Sequence, residues 1–309
     1  MLLQRFALKP KPRKVLKALQ INAFKTFLVV RLLENCSKFI LKARDYDCID
    51  ISKHGNIAMK FVVSFFVLWL LFGTLEWLFP LRKEQKHFRQ GWLTDVAHFF
   101  CNHILINVGT YLIMVFLYVL FKGLISHPLQ LAVRSQPAIL QFAEAFFIAQ
   151  LAFYALHRLA HAIPWLWRFH AIHHSSAELD WLASARLHPV EAIAVNIAVG
   201  IPLFLMGFTR ETFGIYLVFS AILPILNHSN TRFQFAMLNR IIATPDFHHW
   251  HHSNDREARD KNFSGFPIID LMFGTYYVPQ GKFPNTYGVD EGVPTRYWQQ
   301  LLYPFRANH

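Results

Sequence analysis

Residues 57–79 carry only two charged side chains, Lys60 and Glu76. A run this apolar matches the roughly 20 residues that a helix needs to cross a bilayer. It is followed by a basic loop with Arg82, Lys83, Lys86 and Arg89, and then by apolar runs at 96–121 and 138–156. Two shorter runs, 190–208 and 212–226, contain Pro202 and Pro224 and are separated by only a few residues. They read as a hairpin that crosses and returns, or one that only dips into the membrane. Residues 228–309 are polar, aromatic and punctuated by Pro and Gly, and read as non-membrane. The expected fold is all-α and multi-pass, with about four to five transmembrane or membrane-dipping helices.

The 31 phenylalanines suit lipid-facing helices. The net charge of +12 lies beside the apolar runs, which points to an anionic membrane surface. No nucleic-acid-binding signature occurs, and no nucleic-acid partner is expected. Cys36, Cys48 and Cys101 form no CxxC pair and suggest no disulfide framework. Residues 1–55 are basic, with Lys9, Lys11, Arg13, Lys14 and Lys17 opening the series and no signal-peptide core behind them. They read as an interfacial or flexible region, and 56–309 as one membrane domain. Positive charge places the 80–95 loop in the cytoplasm, which puts the later histidine-rich segments on the same side.

Those segments carry the chemistry. His157 and His161 stand as HxxxH. His170, His173 and His174 form HxxHH, and His248, His251 and His252 repeat it. His228 stands alone in Asn227-His228-Ser229-Asn230. Residues three and four apart share a helix face, so each cluster is expected to present its imidazoles to one point. Neutral imidazole is a common ligand for iron and zinc. Nine such ligands are too many for one ion and suit two. A proton relay would use far fewer, a structural zinc site would recruit cysteine, and no cysteine follows Cys101. HExxH and GxSxG are also absent.

His249 falls one position off the repeated face and reads as an outer partner or an exposed residue. His188, before Pro189, reads equally as a tenth ligand or a hydrogen-bond partner. Glu191 reads as a carboxylate orienting a ligand through its N–H, or as one favoured at a helix start. Trp165, Trp167, Phe169 and Trp181 read as interface anchors.

From 153 to 279 the chain resembles the fatty acid hydroxylase/sterol desaturase superfamily of integral-membrane di-iron oxygenases. The resemblance runs through HRLAH, WRFHAIHHS, RLHPVE, NHSN, ATPDFHHWHHS and DLMFGTYYVP, with a weaker match in GWLTDVAHFFCNH. It implies membrane helices capped by a cytosolic histidine-rich di-metal domain. It also implies two non-haem irons, dioxygen as co-substrate, and electrons drawn from NAD(P)H through a separate cytochrome b5-like or ferredoxin-like partner. The family's ligand pattern falls on His157, His161, His170, His173, His174, His228, His248, His251 and His252, and more weakly on His188. Asn230 and Asn262 fall near the site with no assigned role. The activity implied is hydroxylation of a lipid C–H bond, or desaturation, with lipid entry between the helix ending at His157 and the one starting near Val190. The alternative is a non-catalytic membrane protein that binds zinc or another divalent ion for transport or structure.

Overall fold

A computed structural model describes residues 57–234 and 237–306. The expectations for residues 1–55 lie outside the described residues. No strand occurs among the described residues, only two isolated bridges, Pro80 with Thr231 and Ser253 with Tyr287.

The first helix, α1 (Ile57–Leu78), is one of four that are long and apolar enough to cross a membrane. The second crossing is continuous from Trp92 to Leu124. It contains α2 (Trp92–Ala97), a π-helical turn (His98–Asn102) and α3 (His103–Phe121). A short helix, α4 (His127–Arg134), leads to the third crossing, α5 (Ala138–Ala162). Pro164 then forces the chain out of helix at Ile163 and restarts it as α6 (Pro164–His174). The fourth crossing is α7 (Pro189–Met206), and α8 (Arg210–His228) follows it and packs against α5, where Phe142 and Phe146 meet Phe219.

Polar contacts fix which helix ends lie together. At one end, Gln141 of α5 accepts from Thr209, which caps α8, and Gln130 of α4 donates to Phe204 and Leu205 of α7. Gly207 ends α7 with φ 72°, and a Cβ there would lie 2.5 Å from Gln130, so glycine is required. At the other end, Glu76 of α1 accepts from Trp181 and Asn230, and Asp95 of α2 accepts from Arg186. The histidine-bearing ends of α5 and α8 and the start of α7 lie at this second end. The remaining helices, α9 (Pro245–His251), α10 (Pro267–Met272) and α11 (Tyr297–Leu302), are short.

Ala145 and Ala149 of α5 pack with Val199 and Leu203 of α7 in one buried cluster, completed by Val133, Phe208 and Tyr216. Small residues on α5 let the two helices approach closely there. A groove of about 660 Å³ lies along α8, lined by Gly214, Ile215, Val218, Phe219, Ile222 and Leu223, with Ile242 also on its wall. Trp181 and Phe169 are buried core residues, not interface anchors; of the four aromatics named above, Trp165 is the most exposed.

Candidate metal centre

Nine histidines converge in two groups. His157, His161, His170, His174 and His251 form one, and His173, His228, His248 and His252 form the other. Within each group the facing nitrogens lie within 4.8 Å of one another. The corner at Ile163 brings the HxxxH end of α5 against α6, and α9 completes both groups.

The division refines the expectation that each cluster serves one point. In each HxxHH, the first and last histidines enter the same group and the middle one enters the other. Helical geometry explains this. Adjacent residues diverge by about 100° around the axis, so positions i+3 and i+4 straddle position i on opposite sides. His173 thus leaves the group of His170 and His174, and His251 leaves the group of His248 and His252. The two motifs exchange one member each and lock α6 to α9.

Hydrogen bonds fix the ring tautomers. A carbonyl only accepts, so the contacts of His157 Nδ1 with Phe263 O (2.6 Å) and His251 Nδ1 with Lys261 O (2.8 Å) require N–H at Nδ1. The same holds for His173 Nδ1 with Arg186 O (3.1 Å) and His228 Nδ1 with Pro224 O (2.7 Å). His170 Nδ1 donates to Glu191 Oε1 at 2.5 Å. In these neutral rings Nε2 carries a lone pair. Yet His157 Nε2 faces His170 Nε2 at 2.9 Å, and His173 Nε2 faces His228 Nε2 at 3.2 Å. Two facing lone pairs repel unless a cation stands between them. His161 Nε2 and His251 Nε2 are likewise buried without a hydrogen-bond partner.

A proton is a poor candidate for that cation. Burial drives the pKa of His170, His174, His248, His251 and His252 well below the usual value, and neighbouring histidines push in the same direction. Burial also takes His173 to about 4, against the opposing pull of the Arg186 carbonyl. The donor set is all imidazole nitrogen, unprotonated at the facing atoms, which suits a divalent transition metal. The residues therefore fit metal ions, one for each group.

The other candidates take different places. His188 enters neither group. Its Nδ1 accepts from Val190 N at 3.2 Å, its Nε2 donates to Leu301 O at 3.1 Å, and it caps α7. With both nitrogens engaged, it has none left for an ion, which corrects its weaker assignment as a tenth ligand. His249 is buried, not exposed. It donates to Ser229 O and accepts from Tyr287 Oη, joining the end of α8 to the 287 region. Asn230 anchors the 80–82 turn through Arg82 N and O, away from the rings.

Asn262 sits at φ 61°, a conformation Asn tolerates better than most residues. Its amide bonds Phe247 O, Tyr277 O and Tyr277 N. This aims the carbonyls of its neighbours, Lys261 and Phe263, at His251 and His157. Asn262→Ala is expected to lose about 1–3 kcal/mol of stability, read by thermal unfolding. A change below a few tenths would remove the turn from the support of these histidines.

A buried ion network missing from the sequence reading supports the second group. Arg89 binds Asp180 through two bonds and Asp95 through a third at 2.7 Å, and Asp95 also accepts from Arg186 Nε at 2.5 Å. Burial works against the charge of Arg89, but Asp180 and Asp95 outweigh it and raise its pKa further. The carbonyl of Arg186 is the one that receives His173 Nδ1.

A multi-pass helical bundle bearing two convergent histidine groups at one end defines a class of integral-membrane protein with a polyhistidine site. Residues 142–275, somewhat under half of the chain, match the fatty acid hydroxylase family. It is 31% identical over 196 residues to an ornithine lipid hydroxylase of Rhizobium tropici, covering 58% of this chain and 59% of that protein. It is 30% identical over 152 residues to the alkylglycerol monooxygenase of Homo sapiens, covering 49% and 33%. It is also 30% identical over 140 residues to a very-long-chain aldehyde decarbonylase of Oryza sativa subsp. indica, covering 41% and 21%. The chain thus spans from about a fifth to under two thirds of these relatives. No solved structure matches.

Proposed function

We propose that this protein hydroxylates a lipid C–H bond with dioxygen at a pair of iron ions held by the nine histidines. The observation that carries this is the facing of unprotonated Nε2 atoms within each group, which calls for a cation in each. The chemistry follows from the relatives, two of which are named a lipid hydroxylase and a monooxygenase. The decarbonylase among them indicates that the matching region alone does not fix the outcome.

In this reading His157, His161, His170, His174 and His251 hold one ion, and His173, His228, His248 and His252 the other. When bound, the irons supply dioxygen activation, with substrate C–H, O₂, two electrons and two protons giving C–OH and water. The protein's part is orientation and exclusion of water. The Nδ1–H bonds of five of these rings hold them in register. Trp167 packs on His161, His170 and His174 from outside, and Phe263 packs on His157, His161 and His251. The apolar groove along α8 gives a lipid chain a resting place on the helix that ends in His228. The histidine end faces the cytoplasm, because the loop with Arg82, Lys83, Lys86 and Arg89 joins it. Electrons arrive from a separate donor protein, ultimately from NAD(P)H.

A transport role would favour ionisable groups spread along the spans. Here Glu76, Asp95, His157, His161 and Glu191 gather at the histidine end, and Glu144, bonded to Gln136, lies near the opposite end of α5. The test is lipid mass spectrometry of membranes supplied with NAD(P)H, a donor and ¹⁸O₂, with and without the protein. A lipid gaining one labelled oxygen, lost on chelation, is expected. Loss of two hydrogens without label would replace hydroxylation by desaturation, and no oxidised lipid would remove the enzyme reading.

A further inference from the structure

The two histidine groups differ in what stands behind them. In the four-histidine group, the acceptors behind His173 and His228 are backbone carbonyls. In the five-histidine group, His170 Nδ1 meets the carboxylate of Glu191 at 2.5 Å. An N–H bonded to a carboxylate is roughly twice as strong as one bonded to a neutral acceptor. It also makes the opposite ring nitrogen a more basic ligand.

Glu191 sits in the first turn of α7, where the helix dipole favours a carboxylate. The dipole does not account for its surroundings. Its only ion-pair contact among the described residues is His170, and its second oxygen, Oε2, is buried without a hydrogen-bond partner. A buried carboxylate without a counter-charge is strongly unfavourable. A divalent ion on the far face of His170 supplies that charge through the ring. Among the described residues, the only other carboxylate within ion-pair distance of either group is Asp260, which is 3.7 Å from His161 Nδ1, on the same group, and largely exposed.

We propose that Glu191 is a positioning residue that makes the two groups unequal, so that the five-histidine group binds a divalent cation more tightly and fills first. The inference rests on the two-ion reading above and adds an order of loading to it.

Full-length protein stripped of metal in detergent is titrated with Co²⁺ and followed by visible absorption. Two steps are expected. Glu191→Gln keeps the volume and removes the charge, and is expected to weaken the first step by about 10–100-fold, the range for loss of such an outer partner. The second step stays in place, and Glu191→Asp recovers part of the loss. His228→Ala cripples the four-histidine group, and Glu191→Gln is expected to weaken the step that remains. His161→Ala cripples the other group, and Glu191→Gln is expected to leave its remaining step unmoved. Circular dichroism checks that each variant keeps its helices. Equal losses in both backgrounds, a first step unmoved by Glu191→Gln, or two ions bound in one indistinguishable step would overturn the inference and leave two-ion binding standing. Fewer than two ions in the unaltered protein would overturn both.

Discussion

His173→Ala is expected to abolish lipid oxidation, by more than the roughly 100-fold that loss of an outer partner costs, while the protein still inserts and keeps its helices. His173 is the member of the first HxxHH that crosses into the four-histidine group. Its removal leaves that group three rings and takes away the Nε2 that faces His228 at 3.2 Å. The ring is buried but lies at the end of α6, so alanine leaves the membrane helices unaffected. Turnover of a labelled lipid and helical circular dichroism check both halves together. Normal turnover in this variant would take His173 out of the ligand set.

Asp95→Ala has the largest expected effect on stability. Asp95 is fully buried and accepts from both Arg89 and Arg186. Removing one partner of a buried pair costs about 3–5 kcal/mol, because the remaining charge is left uncompensated. Arg89 retains Asp180, whereas Arg186 loses its only carboxylate among the described residues. Since the Arg186 carbonyl fixes His173, metal retention is expected to fall together with the unfolding temperature. A variant within about 1 kcal/mol of the unaltered protein would assign the network no structural weight.

The sequence made some of this legible and not the rest, for physical reasons. Helical crossings are local, and their apolarity survives any tertiary context, so 57–79, 96–121 and 138–156 correspond closely to helices. The shorter 190–208 and 212–226 runs form α7 and α8, because Pro202 and Pro224 are accommodated inside them. Histidine spacing is also local, which is why nine clustered rings were visible in it. Their partition was not, because the split of each HxxHH depends on where α9 docks against α6. His188 was ambiguous because Pro189 next to it starts a helix and turns it into a cap. The Arg89–Asp180 and Arg186–Asp95 contacts each join residues 91 apart. No spacing rule reaches that far. The only local hint was charge within an apolar setting: Asp95 near the start of the second crossing and Arg186 beside His188.

One ion in each histidine group is the proposal on which the others rest. Metal analysis of the purified full-length chain tests it most directly. Two irons per chain are expected, falling to about one when either His161 or His228 is replaced by alanine. A single zinc per chain, unchanged by either substitution, would contradict it.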